Sequence, residues 1–329
     1  MLVILGISAC SEQTEPQAND DKIPEESLPV YPAPDRTTIP AFPGAEGAGK
    51  FTTGGAEGTV YVVTSLKDDG SEGTLRWAIE KSGKRTVVFA VGGVIALTKQ
   101  LVIKNDDITI AGQTAPGAGI CLKNYTLRVN ANNVIIRFIR CRMGDECKTE
   151  DDSMNGYQSS YPGKKNIIID HCSTSWGMDE NISLYRHMRP SLDGTTQIKD
   201  PAQYITIQWT ISSEALNPRN HAFGGTWGGN PSTFHHNLFA CNTARTPSIG
   251  MSGPFDFRNN VIFNWRHRTM DGGDETSLIN VINNYYKPGP GTNENMRAVF
   301  ARIESRDMYS PGSAWAAGDW YAKVGKRPG

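Results

Sequence analysis

Six short runs rich in β-branched and aromatic residues recur along the chain. They are IIRFIRC from residue 135, IIDHCST from 168, TIQWTIS from 206, FHHNLFA from 234, FRNNVIF from 257 and VINNYYK from 281. Their starts are 33, 38, 28, 23 and 24 residues apart, and an earlier run, DDITIAG from Asp106, fits upstream. Each is too short for a helix and is bounded by Asn, Gly or Pro, and the 34 Gly and 19 Pro of the chain mark frequent turns. Self-similarity at such a period, with insertions of varying length, predicts a solenoid. The first positions, Ile135, Ile168, Thr206, Phe234, Phe257 and Val281, are predicted to stack over one another inside it. The fourth positions of the last three runs are Asn237, Asn260 and Asn284, whose amides could bond along the axis at a bend and satisfy polar groups that a tight turn buries. A parallel β-helix explains both columns. A sandwich would repeat every 8–12 residues and leaves the asparagines without a reason.

Coarser features fit this frame. The stretch from Asp69, DGSEGTLRWAIEKSGKRTVVFAVGGVIAL, reads as a short amphipathic helix that would cap the open end, followed by the first strands. The longest insertions, 141–166 and 184–204, are predicted to form the binding face. Lys plus Arg is 33 against 34 Asp plus Glu, a net charge of −1, so no basic excess points to nucleic acid. No apolar run reaches the roughly 18 residues that a spanning helix needs. The opening MLVILGISAC resembles the tail of a bacterial lipoprotein signal, with Cys10 as the lipidated residue, though the usual charged start is missing. Residues 11–40, rich in Pro, Glu, Asp and Ser, read as a disordered tether, and 41–329 as the folded domain. The expectation is an exported monomer: an outer-membrane lipoprotein, or an extracellular or periplasmic protein, touching membrane only through a lipid anchor. The five cysteines besides Cys10 match neither a zinc knuckle nor a dense disulfide framework, and most are expected to be buried free thiols.

Six blocks together carry a resemblance: AFPGAEGAGKFTTGG from 41, GTLRWAI from 73, NNVIIRFIRCRMGD from 132, IIIDHCSTSWGMDENIS from 167, FHHNLFACNTARTP from 234 and FRNNVIFNW from 257. From about Ala41 to about Pro288 the chain resembles the bacterial pectate lyases of polysaccharide lyase family 1. The resemblance implies a right-handed, single-stranded parallel β-helix that cleaves polygalacturonate by β-elimination, generally with calcium.

The residues make that chemistry workable. The C5 hydrogen beside a uronate carboxylate is weakly acidic, and a cation that neutralises the carboxylate eases its removal. Calcium takes oxygen ligands in loose geometry and would need several carboxylates on one face. Asp152 in TEDDSMN, with Asp179 and Glu180 in GMDENIS, are the metal candidates; Asp151 and Asp145 are weaker ones. Composition alone reads these acids as a solvated loop edge, and the resemblance moves them to a site. Arg245, in TARTP, matches the family's catalytic arginine; with a pKa above 12 it could be a base only if other cations crowd it. Otherwise it would stabilise the developing charge, or steer an anionic polymer.

His235 and His236, neighbours on a strand, would point to opposite faces and could not share one ion. Asp170 and His171 read as a packed or hydrogen-bonded pair, and Trp176 and Trp209 as core or rim. Two family features are absent: a lysine on the coil before FHHN, and an arginine five residues past Arg245, where Gly250 stands. Arg219 or His221 could substitute in binding substrate. Family domains usually continue beyond DWYAKVGKRPG, so the resemblance leaves open both a complete and a truncated product. The rival readings are a β-helix glycosidase with paired aspartates, a non-catalytic glycan binder, and a lyase for methylated pectin lacking the acid cluster.

Overall fold

The computed structural model describes residues 39–157, 163–185, 189–191, 193–218, 220–250, 252–274, 277–303, 307–309 and 314–315. The expected lipidated Cys10, the tether up to residue 38, and Arg219 lie outside the described residues. The recurring runs build a parallel β-helix. One coil shows the plan: Lys165–Asp170 lies in a first sheet, Ser173–Ser175 in a second and Ile182–Leu184 in a third. Among the described residues, stacked coils give these sheets ten, nine and eight strands, all paired in parallel. The expected capping helix is Leu75–Glu80, opened by Thr74, whose Oγ1 accepts from the Trp77 amide at 3.3 Å. It buries Leu75, Ala78 and Ile79 in the core.

The interior column differs from the predicted one. Phe234, Phe257 and Val281 do stack in the core, but their partners upstream are Ile207, Ile169 and Ile136. Ile135, Ile168 and Thr206 form the adjacent row, which continues through Thr233, Asp256 and Asn280. A one-residue slip in register moves a side chain to the opposite face of a strand, so these three point outward. They are nonetheless buried, because residues 41–56 form a strap across the outer face of the first sheet. Ile135 and Ile168 pack with Ala41, Phe42 and Ala45 in a small cluster of their own. The strap is pinned by its amides: Gly49 donates to Thr206 Oγ1 at 2.8 Å, Ala48 to Thr233 Oγ1 at 3.1 Å and Gly55 to Thr109 Oγ1 at 3.0 Å. A Cβ on Gly49 would stand 2.3 Å from the Ile167 carbonyl, so the close approach requires glycine.

The asparagine column is as expected. The amides of Asn237 and Asn260 donate to Oδ1 of Asn260 and Asn284, each at 2.9 Å. Each Nδ2 donates to a first-sheet carbonyl, of Ile207, Phe234 and Phe257 respectively. Thr210 extends the ladder upstream, its amide donating to Asn237 Oδ1. The residue before each rung is left-handed, from Phe138 (φ 56°) and His171 (50°) through Trp209 (50°) and His236 (55°) to Asn259 and Asn283. This corner corrects the reading of the histidine pair. His236 breaks the strand alternation, so the Nδ1 atoms of His235 and His236 meet at 2.8 Å in a hydrogen bond rather than facing apart. Its ring stacks on Trp209, Trp209 stacks in turn on His171, and His171 on Phe138. Asp170 is buried and accepts from Arg137 and Gln208, and His171 Nδ1 lies 2.9 Å from its Oδ2, the packed pair expected. Trp176 and Trp209 are rim residues, about half exposed. Cys141 and Cys172 are buried free thiols, while Cys121, Cys147 and Cys241 are free but more open.

Candidate active site

Asp152, Asp179 and Glu180 converge where two successive coils enter the third sheet. Their ligand oxygens lie within 4.8 Å of one another. Backbone register makes the cluster: the Glu180 amide donates to Asp152 Oδ1 at 3.0 Å, and the Ser153 amide to the Glu180 carbonyl at 3.2 Å. Glu180, Phe223 and Ala244 are bridged in parallel across three coils, which places Arg245 beside an acid 65 positions earlier. Arg245 Nη1 donates to Glu180 Oε1, which also accepts from Thr226 Oγ1 at 2.7 Å; Oε2 accepts from Ser183 Oγ at 2.9 Å. The guanidinium lies 4.4 Å over the Phe223 ring. His221 Nδ1 meets Asp179 Oδ1 at 2.7 Å.

The electrostatics are lopsided. Asp152 and Glu180 are buried, and Asp152 Oδ2 has no hydrogen-bond partner among the described residues. Burial, then the charges of Glu180, Asp179 and Asp151, push the Asp152 carboxyl well above its usual range. Asp179 is raised as well, by burial and then Glu180, with His221 opposing. Burial alone would lower Arg245, but the Glu180 carboxylate outweighs it and holds the guanidinium above its ordinary value. Burial followed by Glu180 and Asp152 raises the Tyr185 phenol too.

The structure brings together Asp152, Asp179, Glu180, His221 and Arg245 from the sequence. It sets aside the two weaker acids. Asp151 is consumed by Gln100 Nε2 at 2.9 Å, Asn155 Nδ2 at 2.6 Å and Arg128, and Asp145 pairs with Lys148. Sequence reasoning missed Ser183, Thr226, Phe223 and Tyr185. Ser183 and Thr226 are adjacent outward positions of the third sheet, so correct registration of its short strands could have found them. Tyr185 had no signal of its own. Its Cβ would be 2.7 Å from a Cβ on Gly250, so the glycine that departs from the family pattern leaves space for this ring.

The chain is 40% identical over 276 residues to a probable pectate lyase C of Aspergillus flavus, a match covering 80% of this chain and 59% of that protein. It is 41% identical over 258 residues to a probable pectate lyase C of Aspergillus terreus, covering 77% and 55%. It thus spans less than two thirds of either relative. Both are fungal, so they support the family and not the expected bacterial origin. A comparison with family models finds no match. Among solved structures, the pectate lyase Bsp165PelA of Bacillus sp. N165, crystallised with trigalacturonate, superimposes with a TM-score of 0.51 at 16% identity, covering 82% of this chain and 88% of that one. In sequence the solenoid of this chain is similar to the pectate lyase C proteins, and in fold it is a parallel β-helix like that of the Bacillus pectate lyase.

Proposed function

We propose that the chain cleaves polygalacturonate by calcium-assisted β-elimination, leaving unsaturated ends. The observation that carries this reading is the buried acid cluster with an unpartnered Asp152 oxygen, joined through Glu180 to Arg245. All three donors are carboxylate oxygens, which suit a hard cation such as calcium and not the nitrogen and sulfur preferences of zinc. Asp152, Asp179 and Glu180 would hold that ion, whose chemistry is to neutralise the uronate carboxylate as a Lewis acid.

The other tasks fall to side chains. With Glu180 beside it, Arg245 is a fixed cation, suited to stabilising negative charge that spreads from C5 onto the carboxylate. Taking the C5 proton would first require it to lose the Glu180 field. The Phe223 ring keeps the guanidinium placed. His221 fixes Asp179 through Nδ1, and its Nε2, with Arg219, is proposed to meet the substrate. A glycosidase is less well supported. It needs two carboxyl groups free to flank a sugar, whereas Glu180 is tied to Arg245, Thr226 and Ser183, and Asp179 to His221.

The place of action we propose is outside the cytoplasm, with Cys10 as lipid anchor. The assay is ultraviolet absorbance of unsaturated product from polygalacturonate, with and without EDTA. Saturated new ends would replace the lyase by a hydrolase, and polymer binding without turnover would leave only a glycan-binding module.

A further inference from the structure

The three outer faces of the solenoid are used unequally. The first sheet lies under the strap, and the third borders the acid cluster through Ser183 and Thr226. Among the described residues the second sheet has an open outer face, whose outward row runs in register through Val94, Cys121, Arg140, Ser173, Ile211 and Leu238. Val94 is 52% and Ile211 39% exposed. Two grooves meet on this face at Arg140. One, of about 330 Å³, is lined by Lys123, Arg142, Met143, Glu146 and Trp176 among others. The second, of about 560 Å³, continues past Ser173 to Trp209. Both are of the size that small-molecule sites have.

Charge and strain mark the first groove. Arg142 donates to the neutral oxygens of Cys141 and Ser173, and Arg140 forms no ion pair among the described residues. Lys123 has only the exposed Glu146, a surface pair of little strength. Trp176 occupies a left-handed corner (φ 61°), a conformation costly for a bulky residue. Equivalent corners elsewhere on this edge are filled more cheaply, as by Asn264 (φ 55°). The other corner tryptophan, Trp209, is explained by its stack, but Trp176 has no ring partner among the described residues and is 44% exposed over the groove. A flat apolar ring beside guanidinium groups that pair with no carboxylate among the described residues matches a sugar ring that carries a carboxylate.

We propose that this face is a second, non-catalytic site for an acidic polysaccharide strand. A sugar ring packs on Trp176 while uronate carboxylates pair with Arg140, Arg142 and Lys123. The anionic-glycan chemistry stands on these residues, and the choice of polygalacturonate rests on the lyase reading.

The test is retention of the full chain on immobilised polygalacturonate in EDTA, comparing wild type with Trp176→Asn and Arg140→Glu. Asparagine suits the left-handed corner, so Trp176→Asn keeps the melting temperature and separates binding from folding. The expected result is retention at least tenfold weaker in either variant, with wild-type retention falling as salt rises. Turnover of trigalacturonate with calcium stays within twofold. The proposal is overturned if wild type is not retained in EDTA, if neutral glucan retains it equally, or if the variants bind as wild type does. It is also overturned if trigalacturonate turnover falls in step with binding, since the groove is then a wall of the catalytic cleft, or if Arg140→Glu converts a dimer to a monomer. Failure of the lyase reading looks different: no unsaturated product from any protein, with the difference in retention intact.

Discussion

Replacing Asp152 with asparagine separates a cation site from an incidental knot of acids. Asp152 and Glu180 are each 3% exposed, and the cluster's ligand oxygens lie within 4.8 Å. Two like charges at that separation repel by about 3–4 kcal/mol at an effective dielectric constant near 20. Arg245 offsets part of the Glu180 charge, so deleting the Asp152 charge should relieve about 1–3 kcal/mol in metal-free protein. Asparagine keeps the acceptor for the Glu180 amide and puts an NH₂ group where Oδ2 has no partner. In EDTA, calorimetry should therefore find Asp152→Asn more stable by about 2–12 °C, taking about 2–4 °C per kcal/mol for a large domain.

The pH dependence follows from the same charge. Asp152 titrates above 3.8 in the folded state, so the native protein holds a proton that the unfolded chain has released. Metal-free wild type should accordingly lose stability as pH rises from about 3.8 through the folded value, and the variant should lose less. Calcium reverses the ranking. At a hundredfold excess over its dissociation constant a ligand adds about 2.7 kcal/mol, and the variant should forfeit most of that gain along with its activity. A variant less stable than wild type in EDTA, or an equal calcium response in both, would refute the reasoning.

Other outcomes follow from single residues. Arg245→Lys keeps the charge and loses the planar fork, so turnover should fall by roughly 10²–10³, the usual loss for one placed stabilising donor, with polymer affinity little changed; near-normal turnover in steady-state kinetics means the wrong residue was chosen. Asn260→Ala removes one amide that serves two coils, and chemical denaturation should register a loss of about 2–4 kcal/mol from several buried bonds broken at once. Cys10→Ala should move the protein out of the membrane fraction with its activity unchanged, and continued membrane association would remove the lipid anchor.

What could be read from the sequence was what the repeat dictates one residue at a time. The asparagine ladder was legible because Asn is the residue that both tolerates a tight bend and bonds along the axis. The acid cluster was legible only through the family resemblance, because Asp152 and the Asp179–Glu180 pair read by composition alone as a solvated loop edge. What failed was whatever depends on register between coils. FHHNLFA and TIQWTIS look alike when aligned by their first letters, yet Phe234 pairs with Ile207 and not with Thr206. An isoleucine-rich strand such as Lys165–Asp170 gives no alternation to fix the face, because the strap buries its outer side as well. Phe223 escaped for a related reason: it stands in register with Glu180 and Ala244, but insertions of unequal length between those coils hide that column in the sequence.

That register error also yields a measurement. Ile168 and Ile169 are neighbours, and both are fully buried. One lies under the strap and the other in the core. Truncating a buried isoleucine to alanine costs about 2–5 kcal/mol, so the single variants alone do not tell the two sites apart. Loosening the strap should. A Cβ on Gly49 would clash with the Ile167 carbonyl at 2.3 Å, so Gly49→Val must lift this part of the strap and expose the outer face of the first sheet. In that background Ile168 is already partly in water, and its truncation should cost about 1 kcal/mol or less, whereas Ile169→Ala should keep its full cost. The double-mutant cycles from urea denaturation should then show coupling of 1 kcal/mol or more for Gly49 with Ile168, and close to none for Gly49 with Ile169. Equal coupling of both isoleucines would mean that the strap is part of the core after all, and that the two faces of this strand are not energetically distinct.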